Sequence, residues 1–81
     1  MSKIIDFQMP MLGEVMEQGT IGEWMVEAGD EIEMGDVLLT VENDKALLDV
    51  ESPVDGVIKE VLCADGETVA VGAVIARIEV E

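Results

Sequence analysis

The residue whose setting best suits chemistry is Lys45. The run Val37-Leu38-Leu39-Thr40-Val41-Glu42 leads into Asn43-Asp44-Lys45, and Ala46-Leu47-Leu48-Asp49-Val50-Glu51 follows. Two strand-like runs around a polar tip read as a β-hairpin. Asn at the first position suits a type I turn, where its side-chain oxygen can bond the backbone two residues on. A lysine at such a tip presents a primary amine to water, and that amine can be acylated once it loses its proton. Its ordinary pKa is about 10.4, so at neutral pH it stands as an ammonium. The spacing alone is equally that of a plain exposed turn lysine, which is common. The other two lysines, Lys3 and Lys59, fall near the N-terminus and inside a strand-like run.

Other chemistry is largely excluded by what is missing. There is no His and no Tyr, and Ser2 and Ser52 are the only serines. That removes His-based acid–base catalysis, serine triads with a His base and His-ligated metals, and no metal site is expected. Cys63 is alone, so no internal disulfide, CxxC pair or thiolate zinc cluster can form. One cysteine is compatible with a reducing compartment. Nineteen acidic against four basic residues give a net charge of −15. Such a surface repels phosphate, so neither nucleic acid nor an anionic membrane is an expected partner. No apolar run approaches the roughly 20 residues that a membrane span needs, and the start, Met1-Ser2-Lys3-Ile4-Ile5-Asp6, lacks a long apolar signal segment. The chain is nonetheless 49% hydrophobic, too apolar for a disordered acidic tail. At 81 residues it fits a single domain spanning 1–81, with little room for an enclosed active site. Phe7 and Trp24 are its only aromatics, so the core must be aliphatic.

The elements that must position Lys45 are short. Strands are predicted at Ile4–Gln8, Thr20–Val26, Val37–Glu42, Ala46–Glu51, Gly56–Leu62 and Val74–Val80, with shorter extended pieces near Glu31–Glu33 and Glu67–Val71. Glycine- and aspartate-type turn markers stand between them. Gly29 and Gly56 are expected to serve turns that need positive φ. Glu14–Gln18 could form one helical turn.

The chain also repeats itself. Residues 19–42 fall on 56–79 at a shift of 37, with Gly19, Ile21, Glu23, Gly29, Gly35, Val37 and Glu42 meeting identical residues. Ile5, Phe7 and Pro10 meet Leu48, Val50 and Pro53 at a shift of 43. The first half therefore carries six extra residues, Met11–Met16. Two similar halves imply two antiparallel sheets of about four strands related by a quasi-twofold axis, an all-β flattened barrel or sandwich. The twofold carries Glu42–Ala46 onto the junction of the two termini. The termini should thus lie together, at the pole opposite the Lys45 turn.

Glu42-Asn43-Asp44-Lys45-Ala46 resembles the lipoylation motif of the lipoyl domains of 2-oxo acid dehydrogenase complexes. The opening Met9-Pro10-Met11-Leu12-Gly13-Glu14-Val15-Met16-Glu17-Gln18-Gly19-Thr20-Ile21 is similar to that family's, and Trp24, Gly29-Asp30, Gly35-Asp36, Ser52-Pro53 and Gly56 fall where the family places them. The resemblance covers nearly the whole chain. It departs in Asn43, where Thr is commoner, and in having fewer basic residues after Trp24.

The resemblance implies a barrel-sandwich hybrid fold and a carrier function, with no catalysis by the domain itself. Lipoate would be joined by an amide to Lys45, with Asp44 and Ala46 framing the turn. Glu42 matches a position linked to recognition by the lipoyl-attaching enzyme, although a solvated strand-end carboxylate explains it as well. The implied partners are that enzyme, a thiamine-diphosphate-dependent 2-oxo acid decarboxylase, an acyltransferase catalytic domain and dihydrolipoamide dehydrogenase. The acyl group would pass from the decarboxylase to the acyltransferase and on to coenzyme A, the chemistry belonging to the cofactor.

Met11, Leu12, Gly13, Glu14, Val15 and Met16 would form the loop by which the decarboxylase chooses its carrier. The alternative is a loop folded over a core edge, with Leu12 packed and Glu14 and Glu17 exposed. Cys63 reads as a small packing residue, and Trp24 as a packing or rim residue. The parent chain would be a dihydrolipoyl acyltransferase, in the bacterial cytoplasm or the mitochondrial matrix, with the isolated domain monomeric; the resemblance leans toward pyruvate or a branched-chain substrate over 2-oxoglutarate and leaves acetoin open. A biotinyl carrier of a biotin-dependent carboxylase shares the half-repeat and the hairpin lysine. Biotin acceptors usually flank that lysine with methionines, whereas here Asp44 and Ala46 do so.

Overall fold

A computed structural model describes residues 2–11, 17–43 and 46–81. Eight strands follow in order: β1 (Lys3–Gln8), β2 (Gln18–Trp24), β3 (Glu31–Ile32), β4 (Val37–Asn43), β5 (Ala46–Glu51), β6 (Gly56–Val61), β7 (Thr68–Ala70) and β8 (Val74–Val80). They form two four-stranded sheets of order β1-β8-β6-β3 and β5-β4-β2-β7, with every pairing antiparallel. The sheets face each other as a sandwich and do not close into a barrel. Among the described residues no helix is long and apolar enough to cross a membrane.

The predicted strands are present with small shifts at their ends. The largest shift is in β2, which starts two residues early because Gln18 and Gly19 pair with Ala70 and Val69 of β7. Gln18 therefore lies in a strand and not in the helical turn expected over Glu14–Gln18, of which Glu14–Met16 fall outside the described residues.

The repeat is realised strand by strand. Exchanging β1 with β5, β2 with β6, β3 with β7 and β4 with β8 turns one sheet order into the other. The hydrogen bonds outside the ladders obey the same exchange. Met25 N–H donates to the Leu38 carbonyl as Leu62 N–H does to Ile75, and Gly29 to Ile58 as Gly66 to Ile21. Gly35 and Gly72 likewise donate to Ser52 and Met9.

The sheets bury an aliphatic core between them. Met9, Ile21, Leu38, Leu39, Val41, Ile58, Ile75, Ala76 and Ile78 are fully buried, and Phe7 is buried beside them. Consecutive residues such as Leu38 and Leu39 are both buried because the register shifts between Val37 and Leu39. A bulge breaks the two-residue alternation and turns an extra side chain inward.

Two glycines expected to serve turns divide. Gly29 has φ +99, as do, at similar values, Gly35, Gly66 and Gly72. Gly56 does not take positive φ. It lies in β6 against the backbone of β8, where a Cβ would collide with the Glu79 carbonyl oxygen. Close approach of two backbones, and not a turn, requires glycine there.

The poles of the molecule follow from the connections. Lys3 pairs with Val80, so the ends of β1 and β8 are adjacent. A depression at that end is lined by Ser2, Asp36, Asp55, Glu79 and Glu81, which places the start of β4 at the same pole. Seven residues of β4 then run about 20 Å away from it, at ~3.3 Å per residue, to Asn43. The hairpin end thus lies opposite the termini in a body 39 Å long.

Candidate functional site

Only one chain connection joins two neighbouring strands of the same sheet, the step from β4 to β5; the others among the described strands cross between sheets. Asn43 pairs with Ala46, Glu42 with Leu47 and Val41 with Leu48. Asp44 and Lys45 are the two residues between, and both lie outside the described residues. The strands that bracket them are well held. β4 is an interior strand, flanked by β2 and β5, and Leu39 and Val41 anchor it in the core. The flanks are open to solvent: Glu42 and Ala46 are exposed and Asn43 is half-buried.

Of the loop residues proposed for partner choice, Met11 is exposed at 61%, while Leu12, Gly13, Glu14, Val15 and Met16 lie outside the described residues. Glu17, at the loop's end, is exposed, and its carbonyl accepts the Val71 N–H at 3.0 Å.

The outer face of the hairpin sheet contains residues that sequence reasoning passed over. Gly22 sits at the bulge in β2, skipped in the pairing with β4. A Cβ on it would lie 2.5 Å from Thr40 Oγ1 and 3.2 Å from Leu47 Cδ1. Leu47 therefore lies across β4 onto a bare backbone while remaining 64% exposed. Thr40, buried beneath, accepts the Glu23 N–H at 3.0 Å.

The twofold-related positions in the other sheet differ. Lys59 stands for Gly22 and Arg77 for Thr40. Arg77 binds Glu60 at 2.9 Å and Asp6 at 3.3 Å, and Lys59 lies 3.9 Å from Glu79. The bonds to Glu60 and then Asp6 hold the Arg77 guanidinium above its ordinary pKa. The signal available in the sequence was weak: Gly22/Lys59 and Thr40/Arg77 are two of several mismatches in the repeat, set apart only by placing cations in one half and none in the other.

The remaining reactive groups serve structure. Cys63 is buried, and desolvation pushes its thiol up from the ordinary value, helped by the adjacent Glu67 side chain. A protonated, buried thiol is a poor nucleophile. Trp24 packs half-buried on the core and donates its indole N–H to the Cys63 carbonyl at 2.7 Å. Ser52 spends its hydroxyl on the Val54 carbonyl at 2.6 Å. The depression beside the termini, about 960 Å³, is open and acidic and lies at the pole away from the hairpin.

Comparison with known proteins agrees with this geometry. A family model that spans biotin and lipoyl attachment, described as "Biotin-requiring enzyme", matches residues 5–78. The chain belongs to the biotinyl/lipoyl attachment family. Within it, the chain is 43% identical over 74 residues to the dihydrolipoyllysine-residue acetyltransferase component of the pyruvate dehydrogenase complex of Staphylococcus aureus, and equally to that of Staphylococcus epidermidis. The match covers 91% of this chain and 17% of each relative, so the chain spans about a sixth of their length.

Among solved structures, the lipoyl domain of the 2-oxoglutarate dehydrogenase complex of Azotobacter vinelandii superposes with a TM-score of 0.75 at 28% identity, covering 91% of this chain and 94% of that one. A single-chain, multi-domain long-chain acyl-CoA carboxylase superposes at 0.77 with 19% identity over 93% of this chain and 7% of that one, a likeness of fold alone. Within the biotinyl/lipoyl family this chain is thus homologous to lipoyl domains and has their fold.

Proposed function

We propose that the chain is a lipoyl carrier domain, with lipoate joined by an amide to Lys45. The observation that supports this reading is the Asn43–Ala46 pairing, the last pair of two paired strands that end at the pole away from the termini. The donor chemistry fits: a primary amine and a carboxyl group activated by the attaching enzyme condense to an amide, the carboxyl C–O bond breaking with net loss of water, which removes the lysine charge. When bound, lipoate supplies acyl transfer and two-electron redox chemistry through its dithiolane.

The chain's own residues supply presentation. β4 and β5 hold the tip in register, exposed Ala46 leaves it uncluttered, and exposed Glu42 offers a carboxylate to the attaching enzyme. No side chain of the chain acts as a catalyst in this reading; catalysis belongs to the partners. Those partners are the lipoyl-attaching enzyme, a thiamine-diphosphate-dependent 2-oxo acid decarboxylase, an acyltransferase catalytic domain and dihydrolipoamide dehydrogenase. The names of the 43%-identical relatives favour pyruvate as the 2-oxo acid and an acetyltransferase as the parent chain, in the bacterial cytoplasm or the mitochondrial matrix. A carrier tethered at the opposite pole raises the local concentration of its arm at each active site.

Intact-mass measurement after expression with a lipoyl ligase and lipoate tests the reading. A gain of one lipoyl group is expected, and its complete loss in Lys45→Ala. An unchanged mass, or a biotin adduct on co-expression with a biotin ligase in place of the lipoyl one, would overturn it.

A further inference from the structure

We propose that the outer face of the hairpin sheet, centred on Leu47, is the docking surface for the enzyme that acylates Lys45, and that this enzyme meets it with an apolar pocket rimmed by lysine or arginine. The proposal rests on the carrier reading.

The molecule contains its own control. Lys59 occupies in β6 the bulge position that Gly22 occupies in β2, and both strands shift register there. The bulge therefore accepts a side chain, and Gly22 has no left-handed φ to demand glycine. What requires glycine is the neighbourhood: Thr40 beneath and Leu47 across it. One half of the repeat is thus cleared of side chains so that a leucine can lie flat and exposed. The other half fills the same place with Lys59, Arg77 and their carboxylate partners.

Charge gives the partner's character. Glu23, Glu42 and Asp49 surround Leu47 at the positions that Glu60, Glu79 and Asp6 take in the other sheet. In that other sheet, Lys59 and Arg77 bind all three. The strands of the hairpin sheet contain no Lys or Arg at all. An apolar centre inside a charged rim has the anatomy of a protein interface, and its sign calls for a basic partner whose approach it would steer. Covalent geometry fixes the location. Leu47 is two residues from Lys45, so their Cα atoms are within about 7 Å. A partner that takes that amine into its active site therefore comes within reach of this face.

The test compares twofold-related exposed residues. Leu47→Lys and Ile4→Lys each add one lysine to an exposed strand position, Ile4 being 47% exposed beside the termini. Thermal unfolding checks that both fold. Initial rates of lipoylation by a lipoyl ligase are then measured against domain concentration and salt. Leu47→Lys should raise KM about tenfold, the weight of a modest interface anchor. Ile4→Lys should stay within about twofold, and kcat/KM of the parent should fall as salt rises. Equal effects in the two variants, no effect in Leu47→Lys, or a salt-independent parent rate would overturn the proposal while leaving the carrier reading intact. A parent chain that accepts no lipoyl group would overturn both.

Discussion

The two sheets share one plan and differ in one respect. The strands of the hairpin sheet carry four acidic residues and no basic ones, and those of the terminal sheet carry four acidic and three basic, giving −4 and −1. Inside, the halves are nearly interchangeable: β1 and β5 even show the same burial residue by residue. Outside, the terminal sheet pairs Lys59 and Arg77 with carboxylates, and the hairpin sheet keeps its carboxylates beside an exposed leucine. The core constrains both halves equally, because each must fill the same gap between sheets. The surface is constrained only where something must be met.

The largest expected effect challenges the equality of the interiors. Ile21 and Ile58 are related by the repeat, and both are fully buried. Replacing either by Ala should cost about 2–5 kcal/mol, the usual range for a truncated core aliphatic. The two values should fall in the same part of that range if the halves pack equally well, because the cost follows how far each site can collapse. Denaturant unfolding of the two variants measures this, and values at opposite ends of the range would mean that one half packs more loosely.

A smaller effect sharpens the difference outside. Gly22→Ala sets a methyl 2.5 Å from Thr40 Oγ1 and 3.2 Å from Leu47 Cδ1. Thr40 must then turn and release the Glu23 N–H, so a loss of about 1–3 kcal/mol is expected. Lys59→Ala removes one exposed partner of a 3.9 Å ion pair and should stay within about 0.5 kcal/mol. Comparable losses in both, read from thermal unfolding, would mean that the bulge itself is fragile and that Gly22 is not kept for Leu47.

Much of this was legible in the sequence. Val- and Ile-rich runs between Gly-Asp markers gave all eight strands, because short strands need local turn chemistry to end them. The repeat gave the pairing of the halves, the joined termini and the remote hairpin, since a twofold acts on the chain as a whole. Three things were not legible. Gly56 looked like a turn glycine because a close backbone approach leaves no mark in a single sequence. Leu38 beside Leu39 hid the inward face, since a bulge breaks the alternation that assigns it. Gly22 and Thr40 were hidden because each is ordinary alone and informative only against its counterpart in the other half.

The smallest effect concerns Cys63, whose counterpart in the first half is Val26. Val26 is half-buried and apolar, and Cys63 is buried with a raised thiol pKa caused first by desolvation and then by Glu67. In the unfolded chain the thiol ionises near its ordinary value of about 8.5. In the folded chain it holds its proton to higher pH. Above pH ~8.5 the unfolded state therefore binds fewer protons than the folded one, and stability falls as pH rises. Below that pH both states are protonated, and the thiol contributes no pH dependence. Cys63→Val gives the second half what the first half has and removes the titrating group. Unfolding temperatures of parent and variant should run parallel from pH 6 to 8 and diverge above it, the parent falling faster. Parallel curves to pH 10 would show that Cys63 ionises as freely folded as unfolded, which its burial argues against.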